Sequence, residues 1–142
     1  MLTVKHLLER KGSQVHAIEP DAPVLDAIRL MAEKHVGALL VMRGKELVGI
    51  VSERDYARKV ILLGRSSADT PVREIMTSSV NTVTPAHTVN DCMQTVTDQR
   101  IRHLPVVDNG RVVGVVSIGD LVKAVIESQQ EQIEQLERYI RS

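Results

Sequence analysis

Gly-Ile-Val-Ser-Glu-Arg-Asp at residues 49–55 returns 65 residues later as Gly-Val-Val-Ser-Ile-Gly-Asp at residues 114–120. The recurrence is longer than this element, because residues 15–61 align with residues 80–126 without a gap and 13 aligned positions are identical. Chance identities would be scattered, whereas the Gly, the Ser and the Asp recur together in one short stretch. The chain therefore contains a duplicated unit.

Each copy shows the same order of secondary-structure signals. A short strand (residues 15–18 or 80–83) precedes a stretch with apolar residues at helical spacing, and two aliphatic strands and a second helix follow. Asn109-Gly110 between two such strands is a strong hairpin signal. The order β-α-β-β-α, occurring twice, predicts an α+β fold with two repeats related by a pseudo-two-fold axis.

The duplication divides the chain into four segments. They are the first repeat with its lead (1–63), a polar linker (64–71), the second repeat with its lead (72–127) and a helical extension (128–142). By lead segment we mean the short amphipathic stretch ahead of each copy, residues 4–8 and 72–76. Neither repeat is expected to be stable alone, because so few residues bury too little apolar surface.

The segment after the second repeat predicts a long C-terminal helix, because neither Gly nor Pro interrupts residues 120–141. Aliphatic residues recur in it at heptad-like spacing: Ile126, Ile133, Leu136 and Ile140. The helix could pack back on its own globule or pair with a second chain. We favour pairing, and therefore expect a homodimer.

Composition argues against two classes of partner. Lys+Arg and Asp+Glu balance at 18 each, so no global field attracts the protein to nucleic acid or to a membrane surface. With no Trp, no Phe and two Tyr, the aromatic platforms of single-strand binders are also missing. We expect neither a nucleic-acid partner nor a membrane partner.

The single cysteine and the N-terminus bear on the compartment. Cys92 cannot form an internal disulfide and lies among periodic apolar residues, which predicts a small core residue. The first residues lack the basic region and apolar stretch of a signal peptide, and no apolar run approaches the ~20 residues needed to span a bilayer. We expect a cytoplasmic protein, with an organelle as the alternative if a presequence has been removed.

The repeated element also carries a family resemblance. The chain resembles a tandem cystathionine-β-synthase-type (CBS) domain pair of the stand-alone regulatory kind over about residues 1–127. Besides the two Gly-x-Val-Ser-x-x-Asp elements, the matching motifs are Val72-x-x-Ile75-Met76-Thr77 and Arg102-His103-Leu104-Pro105-Val106-Val107-Asp108. The resemblance implies the β-α-β-β-α fold, a cleft between the repeats with up to two nucleotide sites, and a role in signal transduction.

For one of these sites the resemblance implies a complete set of residues. Ser117 and Asp120 would hold the ribose hydroxyls, and His16 of the first repeat would lie near the base. Arg102 and His103 would face the phosphates. A histidine in that position is expected to tighten phosphate binding as the pH falls through about 6.5.

The other site departs from the family pattern. Ser52 and Asp55 would hold the ribose there, with Asn81 opposite. The positions that match the two basic residues are Gly37 and Ala38, which supply no cation to a phosphate. The two sites should therefore be unequal.

Both motifs also have a purely structural interpretation. Ser-x-x-Asp is a helix capping box, in which the hydroxyl and the carboxylate accept the free N–H groups of the helix start. Arg102 and His103 could belong to a solvated sheet edge. Capping and ligand contact can coexist, and both interpretations stay open at this point.

These observations predict a regulatory module rather than an enzyme. The sequence shows no nucleophile elbow, no phosphate-binding loop and no cluster with metal-ligand spacing, so we expect no catalytic residue and no required metal. The expected ligand is an adenine nucleotide, with AMP favoured over ADP, ATP or NAD, used to sense energy or redox state and to modulate an unidentified protein target. The alternative is an interaction or assembly module that keeps the fold without binding a ligand.

Overall fold

The structure is a computed structural model that describes residues 2–141. The first residue of the expected segment 1–63 and the last of 128–142 therefore lie outside the described residues. The helices are α1 (Val4–Lys11), α2 (Val24–Lys34), α3 (Glu53–Tyr56, continued by a π-helical stretch Ala57–Ile61), α4 (Val89–Gln99) and α5 (Ile118–Arg141). The strands are β1 (Ala17–Ile18), β2 (Ala38–Arg43), β3 (Glu46–Ser52), β4 (His103–Asp108) and β5 (Arg111–Ser117), and a 3-10 turn covers Val72–Glu74. The mixed α+β order with a long final helix confirms the predicted fold class.

The first repeat builds a three-stranded sheet in the order β1-β2-β3. β1 runs parallel to β2, with Ile18 opposite Val41, and β2 runs antiparallel to β3. The turn between β2 and β3 uses Gly44 at φ 60°, a conformation that glycine adopts without steric cost. Behind the sheet, α2 buries Val24 and Met31 at helical spacing in the core of this repeat.

The second repeat builds a two-stranded sheet from β4 and β5. Asn109 and Gly110 join them with positive φ at both residues, the geometry that makes Asn-Gly a hairpin signal. The predicted strand at residues 80–83 is reduced to one parallel bridge between Val83 and Val106.

Pro105 explains why this strand is shorter than expected. In the first repeat, the N–H of Leu40 donates to the carbonyl of His16 at 3.1 Å and extends the ladder of β1. Pro105 is the residue aligned with Leu40, and its nitrogen carries no hydrogen. The equivalent bond to Asn81 cannot form, so pairing is limited to Val83.

Each lead segment packs against the strands of the other repeat. Compact unit A consists of the chain up to Ser13, Thr82–Asp108 and the chain from Val113 onward; unit B consists of Gln14–Asn81 and Asn109–Val112. The lead at 4–8 thus belongs with the second repeat, where Val4 and Leu7 are buried in its core. The lead at 72–76 buries Val72 and Ile75 in the core of the first repeat.

The glycine of the repeated element allows each lead segment to pack closely on a strand of the other repeat. A Cβ on Gly114 would lie 2.7 Å from Cδ2 of Leu8, and a Cβ on Gly49 would lie 2.6 Å from Sδ of Met76. Leu8 and Met76 are the last residues of the two lead segments. The repeated glycine therefore serves close packing of a lead segment on a strand, independently of any ligand.

The predicted C-terminal helix is confirmed as one uninterrupted element, α5. Near its start, Leu121 and Ala124 are buried in the core of unit A, whereas Leu136 and Ile140 farther along are exposed. Within residues 2–141, none of the helices has both the length and the apolar character required to cross a membrane.

Candidate functional site

The Ser-x-x-Asp element of the second repeat lies where β5 passes into α5. The backbone N–H of Ser117 donates to Oδ2 of Asp120 at 2.8 Å, and the N–H of Asp120 donates to the Ser117 hydroxyl oxygen at 3.1 Å. These two reciprocal bonds form a capping box. The element therefore caps the start of α5. A ligand could bind only to atoms of Ser117 and Asp120 that these two hydrogen bonds leave unoccupied.

Lys11, at the end of α1, reaches the same carboxylate. Its Nζ lies 2.6 Å from Oδ2 of Asp120 and 2.9 Å from the carbonyl oxygen of Val115. The side chains of Lys11 and Asp120 are 36% and 25% exposed, so the ion pair is partly shielded from water. Sequence reasoning missed Lys11, because it lies 109 residues from Asp120 and no local pattern marks it.

Asp120 is held in its charged form with one oxygen still available. Burial acts to raise its pKa, but the hydrogen bonds from Lys11 and Ser117 outweigh burial and lower the pKa below the usual value. The hydrogen bonds from Nζ of Lys11 and from the backbone N–H of Ser117 both end on Oδ2, so neither of them occupies Oδ1. Oδ1 is therefore the oxygen of this ionised carboxylate that could accept a hydroxyl group of a ligand.

Two basic residues lie at the start of β4 in the same compact unit. Arg102 is exposed, and its carbonyl accepts the N–H of Ile118 at 2.8 Å, which fixes the strand against the start of α5. His103 is half-buried. Burial and the neighbouring Arg102 lower the pKa of His103, although Asp120 acts in the opposite direction. In this structure burial therefore favours the neutral imidazole, and the expected pH dependence of phosphate binding stays a prediction.

The first repeat presents the same capping box with different charge pairing. Oδ2 of Asp55 accepts the N–H of Ser52 at 2.9 Å and its hydroxyl at 3.0 Å. Oδ1 of Asp55 lies 3.3 Å from Nζ of Lys59, one turn along the helix, and Lys59 also donates to the carbonyl of Ile75 at 2.9 Å. Both oxygens of Asp55 are engaged, whereas Asp120 keeps one oxygen without a bonded donor.

The structure places the eight expected site residues in two groups. Unit A holds Ser117, Asp120, Arg102 and His103, and unit B holds Ser52, Asp55, His16 and Asn81. His16 is half-buried with its carbonyl engaged by β2, and Asn81 is exposed. Their expected contact with an adenine base stays a prediction, as do the ribose and phosphate roles.

The geometry also bears on metal and nucleophile chemistry. Across residues 2–141, no three His, Cys, Asp or Glu side chains are grouped so that they could hold a metal ion. Cys92 is fully buried in the core, as predicted, and burial raises the pKa of its thiol to about 11. At neutral pH this thiol is protonated, so it is not poised as a nucleophile.

Comparison with known proteins identifies what the chain is similar to. A family model described as CBS domain matches twice, at residues 2–61 and 72–127. The CBS domain-containing protein CBSX3, mitochondrial, of Arabidopsis thaliana is 41% identical over 98% of this chain and 72% of that protein. A solved structure with CBS domains from Burkholderia ambifaria is 51% identical with a TM-score of 0.87, covering 89% of this chain and 96% of that chain. The CBS domain protein of Pyrobaculum aerophilum complexed with AMP is 28% identical with a TM-score of 0.75, covering 84% and 89%.

Proposed function

Because the chain belongs to the CBS domain family, with both repeats and both lead segments matched, we propose that it is a regulatory module that binds an adenine nucleotide. AMP is the favoured ligand, with ADP, ATP and NAD as the alternatives, and binding would report energy or redox state to a protein target. The solved relative complexed with AMP supports an adenosine ligand.

One observation in unit A carries this proposal: an ionised carboxylate with a free oxygen lies in the same compact unit as basic side chains. Oδ1 of Asp120 could accept a ribose hydroxyl in a charge-assisted hydrogen bond. Arg102 is exposed, and its planar guanidinium suits a phosphate. Lys11 neutralises Asp120, which lowers the cost of bringing an anion close to a carboxylate.

A pair of substitutions tests the two roles separately by calorimetric titration with AMP and adenosine. Asp120→Ala should weaken both ligands at least tenfold, because both carry the ribose and a charge-assisted bond is worth ~1.5–3 kcal/mol. Arg102→Ala should weaken AMP much more than adenosine, which has no phosphate. Arg111→Ala is the matched control, since this exposed arginine lies at the far end of β5, about 20 Å from Ser117.

The alternative function is ligand-independent interaction or assembly. The capping boxes of Ser52 and Ser117 favour it, since both are complete without any ligand. If the folded parent chain binds none of AMP, ADP, ATP, NAD or adenosine, the alternative replaces the nucleotide function.

We also infer a homodimer that pairs through α5. The exposed side chains of Ile126, Ile133, Leu136 and Ile140 repeat at heptad-like spacing, and most of the stability of a helix in a protein comes from packing of its apolar face. The cytoplasmic location stays a prediction, and the similar Arabidopsis protein is named as mitochondrial.

A further inference from the structure

The two repeats differ in charge at one pair of positions that their backbones hold in the same way. In the second repeat, the N–H of Ile118 donates to the carbonyl of Arg102 at 2.8 Å. At the aligned positions of the first repeat, the N–H of Glu53 donates to the carbonyl of Gly37 at 3.0 Å. The second repeat therefore has Arg102 and Ile118 at these two backbone positions. The first repeat has Gly37 and Glu53 at the same two positions, and so has a carboxylate but no cation there.

The carboxylate of Glu53 lies close to the point from which a phosphate-binding side chain would extend. A Cβ on Gly37 would be 3.7 Å from Oε1 of Glu53, and Gly37 is aligned with Arg102. Glu53 is exposed and forms no ion pair within residues 2–141, and Lys59 of the same helix pairs with Asp55. The side-chain atom nearest to this Cβ position therefore belongs to a carboxylate.

We propose that the first repeat selects adenosine compounds whose 5′ substituent is neutral or positively charged, and that Glu53 is the residue that rejects a 5′ phosphate. The inference rests on the proposed nucleotide function, in which Asp55 holds the ribose and residue 37 lies on the phosphate side. A phosphate there meets a like charge and no cation from Gly37 or Ala38, whereas a 5′ cation is attracted. Because Glu53 is exposed and screened by water, the expected discrimination is about tenfold.

The test measures the first repeat alone, in a full chain with Asp120→Ala that removes the ribose carboxylate of the second. Three probes are titrated calorimetrically: adenosine, AMP and S-adenosylmethionine, whose sulfonium is at the 5′ position. Adding Glu53→Gln should tighten AMP about threefold, weaken S-adenosylmethionine by a similar factor, which together make about tenfold, and leave adenosine unchanged. Misfolding would weaken all three probes, so opposite signs for two of them isolate the charge of Glu53.

Two further variants sharpen the result. Glu46→Gln removes an exposed carboxylate at the far end of β3, about 20 Å from Ser52, and should change none of the three affinities. Gly37→Arg together with Glu53→Gln recreates the charge pattern of the second repeat and should tighten AMP further. Gly37 has space for a side chain, since its Cβ would make ordinary contacts and its φ is not positive.

The remaining outcomes distinguish a failure of the inference about Glu53 from a failure of the proposed nucleotide function. If AMP and adenosine bind the Asp120→Ala chain equally and Glu53→Gln changes neither, Glu53 selects nothing, while the proposed nucleotide function stands. If the parent binds AMP but the Asp120→Ala chain binds no probe, the first repeat holds no ligand and the inference is wrong. If the parent itself binds neither these three probes nor ADP, ATP or NAD, the proposed function fails and takes this inference with it.

Discussion

Removing the ammonium group of Lys11 should destabilise the protein by more than a surface ion pair would. Lys11→Met keeps most of the aliphatic stem but leaves the partly buried Asp120 carboxylate without its cation and removes the hydrogen bond from Lys11 to the carbonyl of Val115. Breaking a buried pair costs ~3–5 kcal/mol and breaking an exposed one ~0–1 kcal/mol. With side chains 36% and 25% exposed, the cost should be about 1–2 kcal/mol, a fall in Tm of about 3–8 °C.

Arg10→Met supplies a matched control on the same helix. Arg10 pairs with Glu127 at 3.1 Å, but both side chains are more exposed, at 53% and 43%, so the expected cost is below about 0.5 kcal/mol. Calorimetric melting at pH 7 compares the two variants with the parent. Equal Tm changes for Lys11→Met and Arg10→Met would refute the claim that shielding strengthens the Lys11 pair.

The pH dependence of the same variant gives an independent check. Asp120 has a lowered pKa in the folded chain, so its contribution to stability is present above the unfolded pKa and is lost as the pH falls through the folded pKa. Lys11→Met removes most of that contribution. The stability difference between parent and variant should therefore shrink below about pH 4, the usual range for an aspartate. A difference that stays constant down to pH 2 would mean that Lys11 acts through packing.

Three other expectations follow from the geometry. Burial lowers the pKa of His103, so the folded chain should lose stability as the pH falls below about 6.5, and His103→Gln should flatten that loss in urea titrations. Gly49→Ala places a Cβ 3.0 Å from the backbone carbonyl oxygen of Thr77 as well as 2.6 Å from Sδ of Met76, and should cost ~1–3 kcal/mol of unfolding free energy. Gly114→Ala meets only the end of the Leu8 side chain and should cost less; a neutral Gly49→Ala would contradict the close approach. A chain that ends at Glu127 should be monomeric by light scattering at concentrations where the full chain is dimeric, and identical masses across dilution would remove α5 as the dimer contact.

The duplication made most of the fold predictable from sequence, since each copy supports the reading of the other. The predicted strand at residues 80–83, of which only one bridge is found, shows the limit of this reasoning. Alignment transfers the pairing of β1 to residues 80–83, but one substitution, proline for Leu40 at position 105, removes the N–H on which that pairing depends. A repeat predicts side-chain patterns better than it predicts individual backbone hydrogen bonds.

The candidate site was predictable only where its residues are close in sequence. Ser117 and Asp120 are three residues apart and were found by their spacing, whereas Lys11 reaches them from the lead segment of the other copy. No pattern in sequence indicates that the two lead segments exchange repeats. Glu53 lies inside the repeated element at residues 49–55, but its position beside Gly37 depends on how β2 meets α3.

The repeated element by itself is weak evidence for a ligand, because the fold explains each of its invariant parts. The glycine admits a lead segment, and the serine and aspartate cap a helix. Two copies of a fold need two copies of these residues whether or not anything binds. Evidence for a ligand has to come from features that the fold does not need, such as the exposed guanidinium of Arg102 and the free oxygen of Asp120. These features differ between the copies, so binding measurements on one repeat at a time are more informative than any measurement on the pair.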